Sequence, residues 1–262
     1  MPTCPIDMTV LEVQNVSKSF GAKRVLDNVS LHLEKGELVS LLGVSGGGKT
    51  TLFNIIAGLL KPDGGRVLLH GRDITGQTGS ISYMLQKDLL LPYMTVEDNI
   101  ALPLYLKGEG KKSARKQVAP MFEAFGLHNT QKLYPAQLSG GMRQRAALLR
   151  TYLFSQDVAL LDEPFSALDT LTKTAMHRWY LDVMDRIRLS TLFITHDIGE
   201  AIMLSDRIYL LSQWGSIAGE ICIDEPRPRR EDFDLTPEFL EYKRRIMTLL
   251  NSNLSREGEA AI

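Results

Sequence analysis

Gly43-Val44-Ser45-Gly46-Gly47-Gly48-Lys49-Thr50 is the stretch that decides the fold of this chain. It stands between the apolar run Leu38-Val39-Ser40-Leu41-Leu42 and the segment Thr51-Leu52-Phe53-Asn54-Ile55-Ile56-Ala57. A buried strand, a glycine-rich loop and a helix start therefore follow one another, which is the context the P-loop pattern requires. Glycine accepts positive φ and lets backbone approach a ligand closely. Successive N–H groups then point inward, and the helix start behind them adds partial positive charge. Such a loop suits a polyphosphate, with Lys49 reaching the β- and γ-phosphates and the Thr50 hydroxyl holding Mg²⁺. Gly43, Val44, Ser45, Gly46, Gly47, Gly48, Lys49, Thr50 and Thr51 are the expected contacts. Val44 and Gly47 depart from the commonest letters of the pattern. Gly47 completes a triple glycine, which loosens the empty loop without removing a donor.

Around that loop the chain has the makeup of an ordinary globular protein. Its 262 residues are 44% hydrophobic and 23% charged, enough for one large domain or two small ones. The formal net charge of -1 gives no global basic field for nucleic acid. Two cysteines, Cys4 and Cys222, suggest no disulfide framework and fit a reducing compartment. No apolar run nears the ~20 residues that span a bilayer. Met1-Pro2-Thr3-Cys4-Pro5 lacks the basic-then-apolar form of a signal peptide. Action at a membrane would need another chain to do the spanning.

Along the chain, Val10-Leu11-Glu12-Val13 and Val29-Ser30-Leu31-His32-Leu33 alternate and read as antiparallel strands. The helix after the glycine loop is expected to end near Gly58. Lys61-Pro62-Asp63-Gly64-Gly65 is a turn, followed by strands at Arg66-Val67-Leu68-Leu69-His70 and Ile81-Ser82-Tyr83-Met84-Leu85. From about residue 87 to 155 helical periods replace strand signals, as at Val118, Met121, Phe122 and Phe125, and predict a helical insert. Strands return at Val158-Ala159-Leu160-Leu161, Thr191-Leu192-Phe193-Ile194-Thr195 and Arg207-Ile208-Tyr209-Leu210-Leu211, with helix-like segments between them. That alternation argues a parallel sheet covered on both faces. Pro226-Arg227-Pro228-Arg229-Arg230 reads as an extended linker. Thr236-Pro237 then caps a helix whose apolar face is Phe239, Tyr242, Ile246, Leu249 and Leu250. The residues from Ser252 to Ile262 are expected to fray.

Two further motifs carry chemistry. Leu160-Leu161-Asp162-Glu163 puts two carboxylates at the end of a buried strand, where ligands bind in open α/β sheets. Upstream of them stands a phosphate loop, so Asp162 is expected on Mg²⁺ and Glu163 as the base that polarises an attacking water. Leu138-Ser139-Gly140-Gly141-Met142-Arg143-Gln144-Arg145 places an N-cap serine and two glycines before a helix. It is a second anion-binding helix start, far from the first in sequence.

That second run resembles the signature sequence of ATP-binding cassette (ABC) ATPases, whose common form is Leu-Ser-Gly-Gly-Gln, with Met142 in place of Gln. The resemblance extends along most of the chain. It implies a P-loop NTPase cassette of α/β class over residues 8–235, with a RecA-like parallel-sheet core, an antiparallel β subdomain and the helical subdomain inserted. Residues 236–262 add a helix and tail. The resemblance also implies that Ser139, Gly140 and Gly141 bind the γ-phosphate of ATP held by a second subunit. Phe20 matches the aromatic that stacks on adenine, and Gln86 the glutamine that reaches Mg²⁺ and senses a membrane partner. Ser166-Ala167-Leu168-Asp169 matches the loop that crosses the dimer interface, and His196 the histidine on the γ-phosphate. ATP and Mg²⁺ are the implied cofactors. Two copies, or one copy with a paralogous ATPase, would pair head to tail and open on hydrolysis.

The segment from Gln86 to Leu106 and the tail resemble the ATPases of bacterial importers for nitrate, sulfonate, taurine and pyrimidine precursors. No long C-terminal regulatory domain of the sugar-importer kind is expected. The implied partners are transmembrane permease subunits and, indirectly, a solute-binding protein, at the cytoplasmic face of the inner membrane. Gln86, Leu89, Leu90, Leu91, Tyr93 and Met94 are expected to dock the permease. An exporter or lipid-extracting ATPase is the alternative reading. A soluble repair or translation ATPase would need tandem cassettes or a long coiled coil.

Overall fold

The computed structural model describes residues 9–230 and 232–254. The chain begins with β1 (Thr9–Phe20), β2 (Lys23–Glu34), β3 (Leu38–Gly43), α1 (Lys49–Ile56), β4 (Gly64–Leu69) and the short β5 (Arg72–Asp73). Next come β6 (Ser82–Met84), α2 (Val96–Leu106), α3 (Lys111–Val118), α4 (Met121–Ala124) and α5 (Gly140–Phe154). β7 (Val158–Asp162), α6 (Thr170–Ile187), β8 (Ser190–Thr195), α7 (Ile198–Leu204), β9 (Arg207–Leu211), β10 (Ile217–Cys222) and α8 (Pro237–Leu254) follow. Two compact units form, one from the residues before Ile81 and after Leu189, the other from Ile81–Leu189.

In the first unit, β3 lies between β8 and β9 and runs parallel to both. All six residues of β3 and all of β8 and β9 are buried, as expected where both faces of a parallel sheet are covered. β10 adds an antiparallel edge beside β9. The sequence reading missed this strand, because Ile217-Ala218-Gly219-Glu220 alternates weakly and a glycine lowers strand propensity. A separate antiparallel sheet has the order β2-β1-β4-β5. Leu11, Val13, Leu31 and Leu33 are buried on alternate positions of β1 and β2, so one face of the sheet is packed.

The Pro226–Arg230 stretch carries no strand or helix, but it is not a free linker. Arg229 is buried and donates to the carbonyls of Met203 and Ser205, at 2.8 and 2.6 Å. Burial pulls its guanidinium down to about 10. Arg227 pairs with Asp206 at 2.6 Å. Thr236 Oγ1 accepts the Phe239 N–H at 3.2 Å, capping α8. Phe239, Tyr242 and Ile246 then pack with Ile208, Leu210 and Ile221, and Leu249 and Leu250 lie against the same cluster. The helix continues through Ser252 to Leu254, past the expected start of fraying. Residues 255–262 and Cys4 lie outside the described residues.

In the second unit β6 and β7 are parallel neighbours, and the described residues between them form helices without a further strand. The helical periodicity expected at Val118, Met121, Phe122 and Phe125 is divided between two helices at Pro120, where α3 gives way to α4. Proline has no N–H to continue the helix ladder. Val118, Phe122 and Phe125 are buried all the same.

Candidate functional site

The glycine loop is fixed by close backbone approaches within the first unit. A Cβ on Gly43 would lie 2.5 Å from the Leu211 carbonyl oxygen, and one on Gly48 2.8 Å from that of Val25. Gly48 also has φ +94° and caps α1, a conformation that side chains resist. A Cβ on Gly47 would lie 3.2 and 3.3 Å from the Val44 and Ser212 carbonyl oxygens. A side chain at Gly47 would therefore press on backbone oxygens on one side.

Lys49 is 7% exposed. Its Nζ donates to the Gly43 and Val44 carbonyls at 2.8 and 2.9 Å. An ammonium is thus held inside the concavity in front of the α1 N-terminus, the charge pattern an anion needs. Thr50 is exposed and Thr51 half-buried in the first turn of α1. Phe20, at the end of β1, leaves half its surface open, with the Lys18 ammonium 5.7 Å from its ring centre. His196 is exposed directly after β8. Asp197 beside it caps α7 by accepting the Glu200 N–H at 3.1 Å.

The second unit carries the carboxylates. Asp162 is buried at the end of β7. The Tyr83 hydroxyl on the neighbouring strand β6 lies 3.4 Å from its Oδ2. Burial and that carboxylate push the Tyr83 phenol well above its ordinary value. Glu163 has φ +46°, unusual for a residue with a side chain. Ser166 holds the turn by donating its N–H and its hydroxyl to the Glu163 carbonyl, at 3.2 and 3.0 Å. The Glu163 carboxylate accepts from Gln86 Nε2 at 3.1 Å.

Ser139 caps α5 and accepts the Met142 N–H at 3.3 Å. A Cβ on Gly140 or Gly141 would meet nothing closer than 3.5 Å. The glycines thus answer no local packing need, and they leave the helix start bare for a ligand. Asp169 caps α6, accepting from the Thr172 N–H at 3.1 Å. Hydrogen bonds from Thr172 hold its carboxyl below the ordinary carboxylate value.

Of the six residues expected to dock a partner, Leu89 is 52% and Tyr93 75% exposed, and Gln86 is exposed. Leu91 and Met94 are half-buried, whereas Leu90 is buried in the unit and does not belong to that surface. Two supports were missed in the sequence. Asn99 is fully buried and bonds to Leu91, Met94 and Thr95. Arg143 and Arg150 reach from α5 to residues 88–89. A buried asparagine at Thr95 + 4, in the first turns of a helix, is the only signal the sequence offers for the first.

The family model described as "ABC transporter" matches residues 26–166. The formylaminopyrimidine import ATP-binding protein ThiZ of Halalkalibacterium halodurans is 44% identical over 204 residues, covering 78% of this chain and 80% of that protein. The nitrate import ATP-binding protein NrtD of Synechocystis is 38% identical over 261 residues, covering 95% and 98%. Among solved structures, the dimeric post-hydrolysis state of the ATP-binding cassette MJ0796 with ADP and Pi has a TM-score of 0.69. It is 28% identical and covers 82% of this chain and 100% of that one.

Proposed function

Because the chain belongs to the ABC transporter family, as a subunit that binds ATP and hydrolyses it to drive transport, we propose that it works as an importer ATPase in a head-to-tail pair. Two copies enclose two ATP molecules, each between the glycine loop of one and residues 139–141 of the other. The observation that carries this reading is the Ser139 cap, with two glycines whose missing side chains nothing in the fold demands. A bare, capped helix start is an anion site in search of an anion.

Each residue then has a task. Lys49 exchanges its two loop carbonyls for phosphate oxygens. Phe20 stacks on the base. Glu163, aimed by Gln86, takes a proton from the attacking water, and His196 contacts the γ-phosphate. Thr50, Asp162 and Gln86 are hard oxygen donors of the kind Mg²⁺ accepts beside phosphate, so the donor set fits that ion. Mg²⁺ supplies charge neutralisation on the transferred phosphoryl group. Asp169 serves at the contact between copies.

No helix among the described residues is long and apolar enough to cross a membrane. A permease bound at Leu89 and Tyr93 places the subunit peripherally on the cytoplasmic face of the inner membrane. The solute is small and of the nitrate, sulfonate, taurine or pyrimidine-precursor kind, delivered by a binding protein.

Mixing Lys49→Ala protein with Gly140→Asp protein tests the pairing. A mixed pair keeps one intact site, so ATPase activity absent from either parent should return. Full activity from a demonstrably monomeric chain would sink the model.

A further inference from the structure

Arg143 stands one turn inside α5 and makes two contacts of different kinds. Its Nη1 donates to the Leu138 carbonyl at 2.8 Å, the residue immediately before the cap Ser139. Its Nε donates to Asp88 Oδ2 at 3.2 Å. The other oxygen of Asp88 accepts the Leu90 N–H at 3.0 Å, shaping the turn two residues after Gln86. Gln86 in turn donates to Glu163. Farther along the helix, Arg150 donates to the Asp88 and Leu89 carbonyls at 2.5 and 2.9 Å. Leu89 is held with φ +46°, a conformation that persists only where its surroundings impose it.

The two arginines differ in what they bind. Arg150 anchors backbone, which is a fixed tether. Arg143 binds a carboxylate, and both partners keep solvent contact, with side-chain exposures of 38% for Arg143 and 28% for Asp88. An ion pair this open contributes little to folding. It is well placed, however, to pass a displacement, because one guanidinium touches both the start of the signature turn and the loop that carries Gln86.

We propose that Arg143 is a positioning residue that makes these two ends move together. Through Leu138 it sets the Ser139 turn, which this chain offers to its partner's ATP. Through Asp88 it sets Gln86 and hence Glu163, which act on the ATP of this chain. The Arg143–Asp88 pair thereby couples the two ATP sites of the dimer, and the inference rests on the paired-subunit reading above. Movement of the loop by a docked permease would reach both sites by the same contact.

The test uses the full chain with Arg143→Ala, Asp88→Asn, the two combined, and Arg143→Lys. Asp88→Asn keeps an oxygen for the Leu90 N–H and puts an amide N–H where the carboxylate oxygen accepts from Arg143, so it removes the charge and that contact together. Each single change should lower kcat by about threefold to tenfold, with the half-saturating ATP concentration and Tm near those of the parent. The combined variant should be no slower than the slower single. Lysine keeps the charge but lacks the fork that serves both contacts, so Arg143→Lys should fall between. A parental kcat in Arg143→Ala overturns the proposal, as do losses that simply multiply in the combined variant. Should Arg143→Ala fail to fold, a parental kcat in Arg143→Lys overturns it. Gly140→Asp separates the two readings. If it leaves turnover intact, the paired-subunit model fails. If it abolishes turnover while Arg143→Ala keeps the parental kcat, only the coupling fails.

Discussion

The Gln86 side-chain amide donates to Glu163 Oε2 over 3.1 Å. The two residues follow the parallel neighbours β6 and β7, so the sheet itself brings them together although 77 positions separate them. A carboxylate aimed by an amide, at the end of a buried strand and after a strained φ, is arranged for a task rather than for packing. In the proposed role of Glu163 as base, Glu163→Gln removes the base and leaves the phosphate loop untouched. Turnover should fall by about 10²–10⁴-fold, the range for loss of a general base, while ATP still binds. Phosphate release gives the rate, and size-exclusion chromatography should find an ATP-bound dimer accumulating. A parental rate would remove Glu163 from the reaction.

In the proposed role Lys49 gives up two carbonyl contacts to meet phosphate, so its gain is that of exchanging neutral acceptors for charged ones in a buried place. Lys49→Ala should cost about 1.5–3 kcal/mol of binding, roughly a tenfold to hundredfold rise in Kd. Titration calorimetry with ATP measures it directly. An unchanged Kd would show that another group holds the phosphates.

Gly46 and Gly48 share positive φ, at +78° and +94°, but not their surroundings. A Cβ on Gly46 meets open space, whereas one on Gly48 would lie 2.8 Å from Val25 O and 2.9 Å from Leu26 Cδ2. Gly46→Ala should therefore cost only the left-handed backbone, about 1–2 kcal/mol. Gly48→Ala adds a steric conflict with backbone and should lower the denaturation midpoint further and abolish ATP binding. Equal midpoints for the two variants would refute this distinction.

The same glycines explain what could be read from sequence. A phosphate loop needs particular backbone angles, and those angles select glycine, so the requirement is written into consecutive letters. The place of Asp162 and Glu163 at the end of β7 is legible for a similar reason, as acids ending an apolar run. Arg143 and Asp88 lie 55 positions apart and belong to no local period, so only the packed fold could join them. Leu90 was misread because a run of three leucines does not say which one turns inward. The buried Asn99, bonded to both ends of the 91–95 turn, makes that choice.

Asp98 gives the helical unit an acid-sensitive contact. Burial raises its carboxyl, but hydrogen bonds from Tyr105 and Arg115 outweigh that and hold it below the ordinary value. The Arg115 fork meets it at 2.9 and 2.8 Å. A carboxyl whose folded value is depressed stabilises the fold fully above its unfolded value, about 3.9, and loses that contribution as pH falls through the folded one. Denaturant midpoints taken between about pH 6 and pH 2 should therefore fall more steeply for the parent than for Asp98→Asn. Parallel curves would mean that Asp98 does not sense the acid limb.

Leu89 and Tyr93 present the last test, because their exposure is costly unless something covers them. Leu85, Leu89 and Tyr93 are 40%, 52% and 75% exposed within nine positions. Apolar side chains gathered on an open surface mark a partner site, and the loop that carries them is stiffened by Asn99 and Arg150 rather than left to fold over them. A short amphipathic helix of a permease could seat its apolar face there. Leu89→Ser with Tyr93→Ser should leave folding and ATP binding of the isolated subunit unchanged, since neither side chain fills the core. Assembly with the permease, or transport in the assembled complex, should be lost. Leu90→Ser provides the contrast, because that side chain is 7% exposed, and its truncation should destabilise the isolated subunit by about 2–5 kcal/mol. If Leu89→Ser with Tyr93→Ser also unfolds the subunit, the surface is core and the docking assignment is wrong. If the complex assembles and transports at the parental rate, the permease binds elsewhere.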